Sequence, residues 1–294
     1  MVEQKRQTLR FCAELLEEFR EYLYERENAK STVEKYLTDM RTFQRFLGED
    51  AQIDKRRCMA YKEWLLKHYA VSSVNSMLVS LNQFLEFAGC GAIRVKRVRE
   101  QKQLFAVREK YLNLKEYQLL LQTAQKEKKK QLAMIIETIA STGIRISELE
   151  GFTLERVKKG RVELFNKGKY RVILIPRLLR KKLLKYAKEE EIREGILFRT
   201  RSGRSKDRSN IWKEMKKLGE KTSISPEKIF PHNLRHFFAV QFYQMTKNLI
   251  HLADLLGHSS MEVTRIYARS SEEDCQLSID RLNQKYEAGK ISTT

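Results

Sequence analysis

The 294-residue chain has few cysteines and no long apolar run, and each shortage excludes a class of protein. Its four cysteines (12, 58, 90 and 275) lie far apart without paired spacing, which argues against a disulfide framework and a structural zinc site. No apolar run approaches the ~20 residues of a membrane span, and the N-terminus lacks the apolar core of a signal peptide. We therefore expect a cytoplasmic protein without a membrane partner.

Acidic residues are also few relative to basic ones. Asp and Glu total 38 against 58 Lys and Arg, a formal net charge of +20. Such an excess indicates a polyanionic partner, and nucleic acid is the first candidate. Residues 1–102 carry 19 basic and 15 acidic side chains, whereas residues 103–294 carry 39 and 23. The second part is therefore the better candidate for holding that partner.

Residues 8–89 predict four helices that form a small bundle. In the first helix, apolar residues recur on one face at Phe11, Leu15, Phe19 and Leu23. In the second, Ser31 and Glu34 have the spacing of a capping box, and Gly48 is the expected stop. Serines at 72 and 73 are expected to cap the fourth helix.

Residues 91–110 have no helical period and read as a linker between the bundle, residues 1–90, and a second domain, residues 111–294. The linker is rich in basic residues, and our candidates for contact with DNA are Arg94, Lys96, Arg97, Arg99 and Lys102. Two interpretations stay open: a linker surrounded by solvent, or one that lies along phosphates.

The second domain predicts a mixed but mainly helical fold with one small antiparallel sheet. Residues RVELF and YRVILI alternate apolar and polar side chains on either side of NKGK, which is typical of a β-hairpin. The expected helices are 113–126, 130–142, one that begins at Pro176, 209–221, 232–247, 248–256, 260–270 and 273–287.

Four of the five histidines fall between His232 and His258. His232, Arg235 and His236 share one helical face, because their spacing is i, i+3, i+4. Two histidines four apart could bind zinc, but the metalloprotease pattern needs Glu where this chain has Asn233, and a nearby arginine repels a cation. Histidine with arginine suits an anion better. Taken alone, the group could also be a helix start where the histidines pack.

Two further segments carry polar residues in unusual places. Arg145 lies between Ile144 and Ile146, so it must be paired or point into a site, and Glu148 is its obvious local partner. Tyr267 follows His258 by nine residues; alone, it would be read as a half-buried core residue.

Together these segments resemble the tyrosine recombinases, also called phage integrases. The segments TGIRISELEGFTLERV, LFNKGKYRVILI, PHNLRHFFA and LLGHSSMEVTRIYAR occur in the order found in that family and span most of residues 111–270. The helical bundle resembles the family's SAM-like core-binding domain, and the size is similar to that of compact two-domain members such as Xer-type and transposon recombinases.

The resemblance implies the roles of individual residues. The implied catalytic set is Arg145, Lys167, His232, Arg235, His258 and Tyr267. Lys167 is the choice for the catalytic lysine because it precedes a glycine in the hairpin, but the family often has one more residue before the next lysine, so Lys169 stays a second candidate. Glu148 resembles an acidic residue that orients the first arginine.

The resemblance also implies the chemistry and the partners. Tyr267 would attack a DNA phosphate and form a 3′-phosphotyrosyl link that is later rejoined, without metal, ATP or another cofactor. Double-stranded DNA and a homotetramer on two sites are the expected partners, with exchange of a C-terminal helix from about residue 272 and possible accessory proteins. A type IB topoisomerase and a DNA-binding regulator without chemistry are the alternatives.

Overall fold

The computed structural model describes residues 8–99, 111–166 and 169–257, with residues 264, 267, 276–277, 279–284 and 286 near the C-terminus. Of the side chains in these ranges, those of residues 50, 166 and 169 are not described. The chain forms two units, Met1–Lys102 and Gln103–Thr294, each described below by itself. Among the described residues, no helix has both the length and the apolar character needed to cross a bilayer.

The first unit contains the predicted helices. Their bounds are α1 Ala13–Glu25, α2 Lys30–Leu47, α3 Lys55–His68 and α4 Val71–Phe87. Two short strands, β1 (Leu9–Arg10) and β2 (Gln52–Ile53), pair antiparallel. They add a second small sheet that was not predicted, because two residues are too few to show an alternating pattern.

The bundle core is aromatic. Phe19, Phe43 and Phe84 are fully buried, and the ring of Phe19 meets that of Phe84 edge to face at 5.3 Å between centroids. This geometry is favoured by the ring quadrupoles. The apolar period of the first helix predicted that Phe19 lies on its buried face, but it did not predict which rings Phe19 would contact.

Two predicted helix caps of the first unit are wrong, and one is confirmed. Helix α2 begins at Lys30 after Ala29, so Ser31 lies inside the first turn and no side chain caps the helix. Likewise α4 begins at Val71 after Ala70, without a side-chain cap. The C-terminal stop of α2 is Gly48, whose φ of 66° is open to glycine at little cost.

The segment 91–99 packs against the first unit rather than leaving it. After a short 3₁₀ turn (Gly91–Ile93), the chain runs extended along α4. The amide of Asn82 donates to the carbonyl of Val95 at 2.8 Å and accepts its N–H at 2.9 Å. Asn75 binds Val98 in the same way at 3.0 and 2.8 Å. We call these two contacts the asparagine clamps.

The clamps fix the direction of the basic side chains. Val95 is buried, whereas the candidate DNA contacts of the segment are exposed, namely Arg94, Lys96, Arg97 and Arg99. Lys62 donates to the carbonyl of Lys96 at 2.9 Å. The remaining candidate, Lys102, lies outside the described residues.

The second unit is mainly helical, as predicted. Its helices are α5 Leu114–Lys126, α6 Lys130–Thr142, α7 Leu154–Lys159, α8 Arg177–Glu189, α9 Arg208–Gly219, α10 Pro231–Thr246 and α11 Leu249–Leu256. The short α7 and a 3₁₀ turn (Ile146–Gly151) were not predicted. Of the helix expected at 260–270, residue 264 is helical, but Tyr267 lies in a turn, so the prediction is wrong at that position; the other residues lie outside the described ones. Of the helix expected at 273–287, residues 276–277, 279–284 and 286 are helical.

The predicted hairpin consists of β3 (Arg161–Asn166) and β4 (Lys169–Leu174), paired antiparallel. Val162 and Ile173 face each other on the core side and are buried. Leu164 pairs with Arg171 on the same side, next along the strands. An arginine therefore occupies a core-facing position of β4.

Helix α6 and the turn that follows it determine where Arg145 lies. Its residues Ile135, Ile136 and Ile139 are fully buried, and it ends at Gly143, whose φ is 64°. A Cβ atom at Gly143 would lie 2.3 Å from the ring of Phe238 on α10. Only glycine permits both this turn and this close approach, and the chain then carries Arg145 to the surface.

Candidate active site

Arg235 joins the ends of two helices. It lies in the second turn of α10 and is 1% exposed. Its Nη1 donates to the carbonyl of Gly143 at 2.6 Å, and its Nη2 donates to that of Leu256 at 2.7 Å. Carbonyls at helix C-termini lack partners within their own helix and carry partial negative charge, so a guanidinium suits both.

Arg145 occupies the open side of the site. Its backbone N–H donates to Glu148 Oε2 at 2.7 Å, and its Nη1 donates to Glu148 Oε1 at 3.2 Å. Its Nη2 lies 3.4 Å from the carbonyl of Gly257. The side chain is nevertheless 45% exposed, so the guanidinium can still meet an anion from solution.

Arg171 approaches from the hairpin. Its Nη1 donates to both oxygens of Glu148, at 2.5 and 2.6 Å, and its Nη2 donates to the carbonyl of Leu255 at 2.6 Å. The side chain of Arg171 is 10% exposed and that of Glu148 is 8% exposed. This buried pair connects β4, the turn after Arg145 and the last turn of α11.

A row of rings lies beside the arginines. The centroid of His236 is 4.4 Å from that of His232, 5.3 Å from that of Tyr267 and 5.1 Å from that of Tyr111. Tyr267 is 8% exposed and packs with Ala239, Leu252 and Leu256. It lies in a turn, where its N–H donates to the carbonyl of Thr264 at 3.0 Å.

The electrostatics of the site favour a neutral phenol, a neutral imidazole and cationic guanidiniums. Burial raises the pKa of Tyr267 to about 12, while Arg235 and Arg145 pull it downward. Burial also lowers the pKa of His232 below its ordinary value, and Arg235 and Arg145 act in the same direction. Burial and the neighbouring arginines lower the pKa of Arg235 to about 10, so it stays charged at neutral pH.

The structure brings together five of the predicted residues from distant parts of the sequence: Arg145, Glu148, His232, Arg235 and Tyr267. Lys167 and His258 lie outside the described residues, as does the side chain of Lys169. His258 follows Gly257 in the sequence, and Gly257 ends α11 with a φ of 62°, which agrees with the helix predicted for residues 248–256.

Sequence reasoning missed Arg171. The signal was present, because Ile173 in β4 and Ile175 just after it are buried, and Arg171 has the same parity as both. A charged residue in the core-facing row of a strand needs a buried partner. Which partner it meets depends on tertiary contacts with Glu148 and α11.

Comparison with known families gives two matches along the chain. The model described as Phage integrase family matches residues 110–274, and that of the Phage integrase, N-terminal SAM-like domain matches residues 16–89. The first match covers more than half of the 294 residues.

Individual relatives agree with this. Tyrosine recombinase XerA of Pyrococcus furiosus is 28% identical over 95% of this chain and 96% of its own length. Tyrosine recombinase XerD of Staphylococcus aureus is 26% identical over 88% and 94%. A lambda integrase tetramer bound to a Holliday junction has the same fold, with a TM-score of 0.68 at 16% identity over 86% of this chain and 76% of that one. The chain therefore belongs to the phage integrase family of tyrosine recombinases.

Proposed function

We propose that this recombinase cuts and rejoins DNA at specific sites, with Tyr267 as the nucleophile. The observation that carries the proposal is the position of Tyr267: its phenol is buried within the field of Arg145 and Arg235. A tyrosine that only filled a core would have no need of two guanidiniums. A phosphodiester bound between these arginines would have the phenol of Tyr267 on one side, from where the phenol could attack the phosphorus.

The arginines supply the electrostatic part of the reaction. Phosphoryl transfer gathers negative charge on the non-bridging oxygens in the transition state, and guanidinium forks stabilise that charge. Arg235 is held rigidly by two carbonyls, whereas the half-exposed Arg145 stays accessible. One rigid and one accessible arginine suit a phosphate that enters from solution.

Proton transfer completes each step. Tyr267 must lose a proton to attack, and His232, whose pKa is lowered, is neutral at pH 7 and can accept one. The attack forms the bond from the phenol oxygen to phosphorus and breaks the bond to the 5′ oxygen, which needs a proton to leave as a hydroxyl. We assign that proton to Lys167, with Lys169 as the alternative, and contact with the phosphate to His258. The phosphotyrosyl link retains the energy of the broken bond, so the proposed rejoining step uses no cofactor.

The proposed partners are double-stranded DNA and further copies of this chain. Exposed basic residues in segment 91–99 support contact with phosphates. Near His232, an open cleft of about 380 Å³ is lined partly by Arg208, Trp212 and Lys213, and the two cations suit the phosphates of DNA. Assembly into a homotetramer that exchanges C-terminal helices is part of the proposal, as are possible accessory proteins. The protein would act in the cytoplasm.

The test uses the covalent intermediate. A pool of nicked duplexes that includes the DNA around the coding gene is incubated with the protein, and SDS-resistant adducts are isolated and sequenced. We expect one enriched sequence with the wild type and no adduct with Tyr267→Phe, although this variant should bind the same DNA with unchanged affinity. An adduct that persists in Tyr267→Phe would contradict the assignment.

The enriched sequence also distinguishes the recombinase from the two alternative functions, a type IB topoisomerase and a DNA-binding regulator. A type IB topoisomerase would relax a supercoiled plasmid that lacks the enriched sequence, whereas a site-specific recombinase should not. A regulator without chemistry would enrich a sequence by binding but would form no adduct with it.

A further inference from the structure

Arg171 has no role in the reaction described above, yet it makes the tightest contacts of the candidate site. Both oxygens of Glu148 accept from its Nη1 at 2.5 and 2.6 Å. The other cation on that carboxylate, Arg145, is farther away, with 3.2 Å between its Nη1 and Glu148 Oε1. Of the two guanidiniums, that of Arg171 is therefore the main partner of Glu148.

How Arg171 and Arg145 share the carboxylate of Glu148 matters because this carboxylate is buried. Glu148 is 7% exposed, so its charge is poorly screened by water. Without Arg171, Arg145 would be the nearest cation, and a guanidinium readily forms two parallel bonds to a carboxylate. Arg145 would then turn toward Glu148 and away from the open side of the site.

We propose that Arg171 is a positioning residue for cleavage: it neutralises Glu148, so that Arg145 is oriented by the carboxylate but remains available to the DNA phosphate. This inference rests on the proposed function. With Arg171 present, the site has three guanidiniums, those of Arg145, Arg171 and Arg235, and one carboxylate, that of Glu148. Without Arg171, two guanidiniums and the same carboxylate would remain. The loss of Arg171 therefore weakens the field at the phosphate as well as moving Arg145.

The geometry requires an arginine at this position. Nη2 of Arg171 donates to the carbonyl of Leu255 while Nη1 binds Glu148. The single ammonium of a lysine cannot span both partners in this way. Glycine at position 257 also makes room for Arg171, since a Cβ atom there would lie 2.7 Å from Arg171 Cδ. The backbone of Gly257 thus packs directly against this side chain.

The experiment measures single-turnover cleavage of the enriched duplex by Arg171→Gln, Arg171→Lys and the double variant Arg171→Gln/Glu148→Gln. The matched control is Arg161→Gln, because Arg161 is on the same hairpin but its side chain is 60% exposed and pairs with Glu163. We expect Arg171→Gln to cleave about 10- to 100-fold more slowly than wild type, Arg171→Lys to be intermediate and Arg161→Gln to be unchanged. The double variant should regain part of the rate, because the carboxylate that captures Arg145 is gone.

Two modified substrates locate the defect. A methylphosphonate at the scissile position removes the negative charge that Arg145 must stabilise, and it should reduce the deficit of Arg171→Gln relative to wild type. Sulfur at the 5′-bridging position removes the need for a general acid and should not reduce that deficit. If only the sulfur substitution reduced the deficit of Arg171→Gln, the variant would be defective in proton donation by the hairpin lysine, and the proposal would be overturned.

Further outcomes are equally decisive. A rate for Arg171→Gln within about threefold of wild type would overturn the proposal, as would a double variant no faster than the single one. Thermal melting shows whether Arg171→Gln folds; if it does not, Arg171→Lys is measured on the same substrates, with the same relief by methylphosphonate expected. Failure of the wild type to form any adduct would refute the proposed function itself, which is a different result.

Discussion

At the scale of single residues, the candidate site is organised by charges held away from water. His232 is the titratable example, because burial lowers its pKa and both arginines add to the effect. In the unfolded chain its pKa returns to the ordinary value of 6.5. Below that pH the unfolded state binds the proton more readily than the folded state does.

This difference predicts how stability depends on pH without DNA. As pH falls from 6.5 toward the lowered pKa of folded His232, protonation favours unfolding, so His232 contributes a loss of stability over that window and none above it. His232→Gln should remove this contribution. The free energy of unfolding, measured by denaturant titration between pH 7.5 and about 5, should therefore fall less steeply in the variant. Equal slopes would contradict the prediction.

Sequence patterns located some of these residues because their information is local. The i, i+3, i+4 spacing places His232, Arg235 and His236 on one face, and Ile144 and Ile146 mark Arg145 as unusual. The bonds of Arg235 to the carbonyls of Gly143 and Leu256 could not be predicted. They depend on how the ends of α6 and α11 lie beside the first turns of α10, which no spacing within one segment describes.

At the scale of elements, the asparagine clamps hold an irregular segment in one conformation. Each clamp satisfies one N–H and one carbonyl of the segment, as a neighbouring strand would. The absence of a helical period at 91–99 was correctly read from the sequence. The attachment of this segment to α4 could not be predicted, because the sequence does not show which backbone groups an asparagine on a helix surface binds.

The clamps predict an effect on DNA affinity that is separate from charge. In Asn75→Ala/Asn82→Ala, the basic side chains remain but lose their fixed arrangement, so we expect affinity to fall about 3- to 10-fold with the same slope of log K against log salt. Arg97→Gln should instead reduce that slope by about 0.9, as one phosphate contact is lost. Gln83→Ala, on the same helix, is the control for the clamps. Unchanged affinity in the double asparagine variant would show that the segment needs no fixed arrangement.

At the scale of the whole molecule, the described helical residues near the C-terminus expose apolar side chains to solvent. Ile279, Leu282 and Tyr286 recur at spacings of three and four, and they are 53%, 48% and 59% exposed. An apolar stripe this exposed suits contact with another copy of the chain better than packing on its own domain. This arrangement supports the proposed exchange of helices.

The prediction for assembly uses a substitution that is mild for a single copy. Leu282→Asp should leave the melting temperature nearly unchanged, since the side chain is half exposed, but it should abolish cooperative assembly on paired sites and recombination. Deletion of residues 272–294 should do the same and leave binding to a half-site intact. Arg281→Ser, the neighbouring change, is the control. Full recombination by Leu282→Asp or by the truncated protein, measured by product formation and native gels, would exclude exchange of this helix.

The two carbonyl bonds of Arg235 have a consequence for the evolution of such proteins. A descendant that gave up chemistry and kept only DNA binding could replace its nucleophilic tyrosine with phenylalanine at little cost to folding. It could not lose Arg235 as easily, because the ends of α6 and α11 would be left without their shared partner. Among relatives of this chain, a retained arginine therefore says little about activity, and a retained tyrosine says much more.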